Sequence, residues 1–312
     1  MNENIRNVAI IAHVDHGKTT LVDALLKKSN TFRDNEKVSS RVMDSNPLEH
    51  ERGITILAKT TAVEYKGVKI NIVDTPGHAD FAGEVERIMN MVDGVCLLVD
   101  AFDGPMPQTR FVLKQAISYH LKTVVVINKV DRPGADAERA LNEVLELFMD
   151  LGADDSQLDF PVIYTSALNM TSSYTADPND QKDGMDPLFD TILKTIPAPS
   201  ADESKPLQFQ PSLLDYNRYV GRIGIGRIDR GKIRLGDTLT CIRLDGKTTQ
   251  FKVAKLFSYQ GLNRVEVEEA HSGDICGIAG LPDISVGETV CPNNCLEPLP
   301  PLRIDEPTMK ME

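Results

Sequence analysis

Residues 12–20, which read A-H-V-D-H-G-K-T-T, most constrain how this chain can fold. Four apolar residues at 8–11 come before them and predict a short buried strand, and apolar residues at helical spacing follow. A loop between a strand and a helix directs backbone N–H groups and the N-terminus of the helix at one small volume. Such a volume suits anionic oxygens. The stretch therefore predicts a phosphate-binding loop, with the candidate residues Asp15, His16, Gly17, Lys18, Thr19 and Thr20.

Three residues of this loop have distinct expected roles. Gly17 lets the backbone approach the ligand, the Lys18 ammonium can reach the β- and γ-phosphates, and the Thr19 hydroxyl can ligate Mg²⁺. The usual pattern G-x-x-x-x-G-K-[ST] has a glycine where this chain has Ala12. A methyl group there is a small perturbation only if Ala12 does not need a positive φ. The alternative is a chance G-K-T at a solvated helix start, which the flanking strand and helix disfavour.

The order of strand and helix patterns predicts two domains. Apolar strands alternate with helical patterns through the first part, which predicts an α/β domain over residues 1–198, with a mostly parallel sheet and helices on both faces. A proline-rich linker follows at 199–206. Short alternating runs with glycine turns predict a smaller all-β barrel domain over 207–300. We expect residues 301–312 to be a tail leading to further domains, and residues 171–186 to be a surface loop.

Composition and charge limit the cellular compartment and the classes of partner that we expect for this protein. The net charge of −12 argues against a non-specific nucleic-acid binder, although six basic residues lie between 218 and 234 with a single acid among them. No run is apolar and long enough to cross a bilayer, and residues 1–7 lack a signal peptide's apolar region. Five scattered cysteines indicate reduced thiols. We therefore expect a cytoplasmic monomer whose partners are neither membranes nor DNA.

A second group of candidate residues would act on the γ-phosphate and its metal. Asp74 ends an apolar strand and begins D-T-P-G-H, so it can hold Mg²⁺ through a water, and the Gly77 N–H can meet a γ-phosphate. Thr55 follows R-G-I at the end of a long polar stretch and is a candidate second hydroxyl ligand. Its contact would order that stretch when a γ-phosphate is bound. The alternative for Thr55 is an ordinary strand residue.

A third motif predicts which base is bound. Asn128-Lys129-Val130-Asp131 follows an apolar strand. The Asp131 carboxylate can accept two hydrogen bonds from guanine, from N1–H and the 2-amino group, whereas adenine would leave it unpaired. Lys129 can lie over the purine face. All these motifs stand at the carboxyl ends of predicted parallel strands, where ligands of open α/β sheets bind.

Together the motifs resemble those of the translational GTPases. The resemblance includes Ser166-Ala167-Leu168, as a further part of the GTP site, and Ala12 itself. Residues 44–49 and 214–223 are most similar to a ribosome-associated branch of that family, and the likeness covers essentially the whole chain. Since those proteins continue into further C-terminal domains, we expect this chain to be their N-terminal half.

The resemblance also implies a mechanism and a partner. It implies that His78 positions the attacking water, that Asp15 helps order a cation or that histidine, and that GTP and Mg²⁺ are bound and GDP released. The implied partner is the ribosome, through its RNA and proteins, in translation, ribosome assembly or stress adaptation. A second hypothesis is a ribosome-assembly binding module in which hydrolysis is secondary, with the basic stretch 218–234 facing the ribosome. A P-loop kinase of small molecules is disfavoured because it would not need the guanine motif.

Overall fold

A computed structural model of the chain describes residues 3–28, 59–76 and 82–302. The candidates Thr55, Gly77 and His78 lie outside these residues. Within them, no helix is long and apolar enough to cross a lipid bilayer.

The first unit is built on one eight-stranded sheet with the order β2-β3-β1-β4-β5-β6-β7-β8. Its strands are β1 (Ile5–Ala12), β2 (Lys59–Tyr65), β3 (Val68–Asp74), β4 (Gly94–Asp100), β5 (Lys122–Asn128), β6 (Val162–Ser166), β7 (Thr171–Ser173) and β8 (Lys182–Asp183). Its helices are α1 (Lys18–Lys28), α2 (Ala82–Met89), α3 (Pro107–Ser118), α4 (Ala137–Asp150), α5 (Asp155–Leu158) and α6 (Asp186–Thr195).

Helices cover both faces of this sheet. The five strands from β3 to β6 in the sheet order are parallel, and every residue of β4 is buried, as expected for a strand covered on both sides. One core lies between the sheet and α1 and α6, and another between the sheet and α2, α3 and α4. The predicted α/β fold is therefore confirmed.

The prediction of a surface loop over residues 171–186 is wrong where the segment forms strands, although most residues between those strands are exposed. The segment contains the antiparallel strands β7 and β8, with a 3₁₀ turn at Pro178–Asp180 between them. Ser172 and Ser173 are buried against β6. These strands are short and polar, so they lack the apolar alternation by which a strand is recognised in sequence.

The second unit is an antiparallel sheet curled around its own core. Its main strand order is β13-β12-β18-β9-β10-β17-β14-β15, with β11 and β16 forming a separate ribbon. Phe209, Ile228, Leu256 and Val290 are buried inside it, on strands spread across the sheet. The all-β prediction is confirmed. Among the described residues β13 and β15 end the strand order and do not pair with each other, so closure of the sheet into a barrel stays a prediction. The strands are β9 (Gln208–Asn217), β10 (Gly221–Arg230), β11 (Lys232–Arg234), β12 (Thr238–Ile242), β13 (Thr248–Lys252), β14 (Lys255–Gln260), β15 (Asn263–Glu266), β16 (Glu269–His271), β17 (Ile275–Ala279) and β18 (Thr289–Pro292).

A buried polar network joins the two units at the amino ends of β1 and β3. Asn71 Nδ2 donates to Asn7 Oδ1 at 2.8 Å and to Asp274 Oδ1 at 2.9 Å. Asn7 Nδ2 donates to the Gly273 carbonyl at 2.8 Å, and Lys69 Nζ donates to both Asp274 oxygens at 2.8 and 2.9 Å. Both asparagines are fully buried. Because buried polar groups are costly to leave unpaired, this network fixes the second unit against the first.

The edge strand β2 provides a second junction. Ala62 and Gly261 exchange backbone hydrogen bonds of 3.2 and 2.7 Å, and the Thr61 hydroxyl donates to the Gly261 carbonyl. The β14–β15 turn therefore extends the sheet of the first unit by one bridge. It also covers part of an edge that would otherwise expose unpaired backbone groups.

Asp274→Ala should lower the free energy of unfolding by about 3 kcal/mol, because it leaves Asn71 and Lys69 without their shared acceptor at a buried junction. Urea denaturation followed by circular dichroism measures the change. The control is Glu266→Ala, which removes only the more exposed partner of Lys255 and should cost less than about 1 kcal/mol. Equal losses in the two variants would contradict the assigned importance of the junction.

Candidate functional site

The predicted phosphate loop joins β1 to α1 at the carboxyl edge of the parallel sheet. Asp15 has φ +67° and Gly17 has φ +95°, so the chain turns through two left-handed residues before α1 begins at Lys18. Ala12 is the last residue of β1, and its φ is not positive. Because Ala12 does not need a positive φ, its methyl group is only a small departure from the usual glycine.

Gly17 is required by space as well as by its dihedral angle. A Cβ built on Gly17 would lie 2.6 Å from Asn128 Nδ2. That same nitrogen donates to the His16 carbonyl at 2.9 Å. Asn128 Oδ1 accepts from the Thr165 hydroxyl and from Ala167 N–H, both at 3.0 Å. One buried amide thus joins the phosphate loop to the ends of β5 and β6.

The other residues of the guanine motif lie beside this amide. Lys129 has φ +61°, and its ammonium donates to the Asp15 carbonyl at 2.6 Å. Asp131 is exposed, and its Oδ2 accepts from Asn169 Nδ2 at 3.0 Å. Leu168 is also exposed, whereas Ser166 and Ala167 are buried. A carboxylate and an apolar side chain therefore stand open to solvent at the rim beside the loop.

Lys18 and Asp74 meet at the base of the loop. Lys18 Nζ lies 2.8 Å from Asp74 Oδ1 and also donates to the Thr75 carbonyl. Both side chains are buried. Thr19 and Thr20 are half-buried in the first turn of α1. The hydroxyl of Thr19 and the carboxylate of Asp74 are oxygen donors of the kind that Mg²⁺ prefers, so the residues present fit that ion.

The His16 side chain points inward from the loop, toward β4. It is buried, and its Nδ1 lies 3.4 Å from both the Leu98 carbonyl and the Asp100 nitrogen on β4. Burial lowers the pKa of this imidazole, since the charged form would be desolvated. The His16 carbonyl is the group that Asn128 binds. His16 thus contributes to the architecture of the loop through its ring and its carbonyl.

Sequence reasoning missed three residues that support the motifs. Asn169 donates to the Asp131 carboxylate, Thr165 donates to Asn128, and Asp100 accepts from Lys129 Nζ at 2.7 Å. Asp100 could have been singled out from the sequence. It is a carboxylate at the end of an apolar strand, in the same position as Asp74.

The basic stretch 218–234 does not form an open positive face. Arg227 pairs with Asp93 at 3.1 Å and with Asp229 at 3.3 Å, and Arg222 donates to the Ile284 carbonyl at 3.1 Å. Three others pair with glutamates: Arg230 with Glu297, Lys232 with Glu203 and Glu269, and Arg234 with Glu269. The stretch therefore presents little unpaired positive charge, because five of its six cations are engaged within the second unit or at its junction with the first, and its contact with the ribosome stays a prediction.

Comparison with known proteins identifies the family. Residues 3–198 match the model of the elongation factor Tu GTP-binding domain, and residues 221–291 match that of elongation factor Tu domain 2. The chain belongs to the elongation factor Tu family of translational GTPases. The family resemblance read from the motifs is therefore confirmed.

Curated relatives support the same assignment along the whole chain. The chain is 59% identical over 311 residues to the large ribosomal subunit assembly factor BipA of Bacillus subtilis strain 168, and 56% identical to the protein of the same name from Escherichia coli strain K12. It spans about half the length of these relatives. A crystal structure of a Thermus thermophilus protein has the same fold, with a TM-score of 0.70 at 20% identity, over 95% of this chain and 55% of that one.

Gly17→Ala should weaken GDP binding by at least about tenfold, because the new methyl group displaces Asn128 and disturbs the predicted phosphate-binding loop. Fluorescence titration with a labelled GDP measures the loss. The matched control is Gly152→Ala. Gly152 also has a positive φ, +77°, but a Cβ there would meet nothing within 4 Å. The control should cost about 1 kcal/mol of stability and leave binding unchanged. Unchanged binding in Gly17→Ala would contradict the loop assignment.

Proposed function

We propose that this chain binds GTP with Mg²⁺ and hydrolyses it to GDP and phosphate, acting as a ribosome-associated switch in the cytoplasm. The observation that carries the proposal is the Asn128 amide, which holds the phosphate loop and the guanine motif in contact. The two halves of a guanine nucleotide site therefore share one edge of the sheet.

The phosphate end of the site is suited to charge neutralisation and positioning. On binding, the Lys18 ammonium would exchange its contacts with Asp74 and the Thr75 carbonyl for the β- and γ-phosphates, and the first backbone N–H groups of α1 would donate to the same phosphates. Thr19 and Asp74 (through a water), with Thr55, would hold Mg²⁺. When bound, that ion neutralises charge on the phosphate oxygens. We assign His78 to positioning the attacking water and Asp15 to supporting it. Catalysis would then come from geometry and electrostatics.

The domain boundaries proposed are those of the sequence pattern. A GTP-binding domain covers 1–198, a linker 199–206 and a β-barrel domain 207–300, with 301–312 leading onward. The linker runs along the second unit. The Asp202 carbonyl accepts from Gly231 N–H at 3.0 Å, and a Cβ on Gly273 would lie 2.5 Å from Pro199 Cγ.

Asp131→Asn should reduce GDP affinity by at least about a hundredfold and create a preference for xanthosine diphosphate, because an amide can donate to the 2-oxo group of xanthine but cannot accept two hydrogen bonds from guanine. Competition between labelled GDP, XDP and ADP measures the change. The control is Asp150→Asn, an exposed acid on α4 that pairs with Arg110. Equal binding of ADP and GDP by the unmodified chain would refute the guanine assignment.

The second unit offers a surface for the ribosome that differs from the basic stretch as a whole. At the tip of the β9–β10 hairpin, Tyr216 is 71% exposed and Tyr219 is 96% exposed, with the exposed Arg218 between them. Solvent-facing aromatic rings beside an arginine suit unpaired RNA bases, which stack on such groups, and phosphates, which pair with the guanidinium. We assign this hairpin tip to contact with ribosomal RNA. We expect the protein to act as a monomer, so that each molecule carries one such hairpin tip.

Replacing both tip tyrosines, Tyr216→Ala with Tyr219→Ala, should weaken ribosome binding about thirtyfold or more, since each of the two stacked bases contributes about 1 kcal/mol or more. Co-sedimentation with ribosomes and ribosome-stimulated GTP turnover measure the effect. Leu244→Ala is the control, because Leu244 is 66% exposed on another turn of the same unit. The hairpin assignment fails if the control loses as much binding as the tyrosine variant.

The binding-module hypothesis predicts a different effect of replacing His78. If hydrolysis is secondary, a His78→Ala variant of a full-length relative would still support ribosome assembly in cells. Loss of that support with GDP binding intact would favour the switch.

A further inference from the structure

Asp100 is a buried carboxylate that belongs to none of the sequence motifs. It is the last residue of β4, has 0% of its surface exposed, and lies opposite Asn128 in the parallel pairing of β4 with β5. Its Oδ1 accepts from Phe102 N–H at 2.8 Å. Its Oδ2 lies 2.7 Å from Lys129 Nζ and 3.3 Å from Arg132 Nη1. Two cations and one backbone donor therefore converge on one buried acid.

The Lys129 ammonium links this acid to the phosphate loop. Besides Asp100, it donates to the Asp15 carbonyl at 2.6 Å. The Asp100 backbone nitrogen lies 3.4 Å from His16 Nδ1, on the inner side of the same loop. The Lys129 ammonium is thus held by two acceptors, the Asp100 carboxylate and the Asp15 carbonyl. These contacts fix the direction in which the methylene stem of Lys129 runs.

The charge state of Asp100 suits this role. Burial by itself would raise the pKa of the carboxyl group. The hydrogen bonds from Lys129 and from Phe102 N–H outweigh burial, so its pKa is lower than usual and the group stays ionised near neutral pH. An ionised acceptor forms a stronger and more directional hydrogen bond with an ammonium than a neutral one does.

We propose that Asp100 is a positioning residue for the purine ring of the bound nucleotide and acts through Lys129. This inference rests on the proposed guanine site. A lysine stem loses much rotamer freedom when it is fixed. Asp100 fixes the ammonium before any ligand arrives, so the stem presents its apolar side to a purine without that cost at binding. Recognition of the 2-amino group stays with Asp131, two residues further on.

The experiment compares nucleotide binding in four chains: unmodified, Asp100→Asn, Lys129→Ala and the double variant. Asp100→Asn keeps the shape but removes the charge, and it should weaken GDP binding about tenfold, mainly through faster dissociation. The affinity ratio of GDP to inosine diphosphate, which lacks the 2-amino group, should not change. In the Lys129→Ala background, Asp100→Asn should cause no further loss, because the residue through which it acts is gone.

A matched variant and a folding measurement separate positioning from general stability. Arg132→Gln removes the other cation from the same carboxylate oxygen but none of the contacts with the loop, so GDP affinity should change less than about twofold. Thermal unfolding without nucleotide and titration to full occupancy report the folded fraction of each chain. Binding constants are compared for that fraction alone, which keeps the test valid if Asp100→Asn lowers stability.

The outcomes distinguish the inference from the function on which it rests. Additive losses from Asp100→Asn and Lys129→Ala would overturn it, as would an altered ratio of GDP to inosine diphosphate, or a loss in Arg132→Gln as large as in Asp100→Asn. If the unmodified chain bound no guanine nucleotide, the proposed function itself would fail. Normal GDP binding by the unmodified chain and by Asp100→Asn alike would overturn only the role of Asp100.

Discussion

The side-chain amide of Asn128 is the interaction on which the site depends. Its nitrogen holds the His16 carbonyl, and its oxygen holds Thr165 and Ala167, so three loops distant in sequence share one buried group. Each partner is a polar atom at the carboxyl edge of the sheet, where it would be costly to leave unpaired. The parallel strands bring these loops to one edge, and the amide fixes their distances. Gly17 is then required because a side chain there would occupy the space of that amide.

Two ion pairs organise the charges around this amide. Lys18 lies against Asp74 at one end, and Lys129 lies against Asp100 at the other. Both acids are fully buried ends of parallel strands, β3 and β4, which are adjacent to β1 on opposite sides. Lys129 can keep Asp100 as its partner when a purine lies over its stem, so the rotamer freedom of that stem is lost before a ligand binds, which favours binding. Lys18 differs, because in the proposed site its ammonium would exchange Asp74 for phosphate oxygens and leave that carboxylate to the metal.

Much of this could be predicted from sequence, for reasons that are local. The strand before Gly17, the helix after it and the N-K-x-D motif at the end of β5 each rely on spacing within a few residues. Asp100 could not be assigned a role, because its meaning depends on Lys129 arriving from the neighbouring strand. The basic stretch misled for the same reason. Its partners Asp93, Glu269 and Glu297 come from elsewhere in the chain, and a count of local charge cannot reveal them.

The junction with the second unit lies mostly at the opposite edge of the sheet from the predicted nucleotide-binding loops. One strand, β2, nevertheless contacts both regions. In the β2–β3 pairing, Lys59 lies opposite Asp74, and Ala62, three residues along, bonds to Gly261. Three strand residues cover about 10 Å. A one-residue slip of β2 would turn its buried side chains to the opposite face. The register that sets Lys59 opposite Asp74 therefore also sets Ala62 opposite Gly261, so one strand pairing fixes both the position of β2 beside Asp74 and its bridge to the second unit.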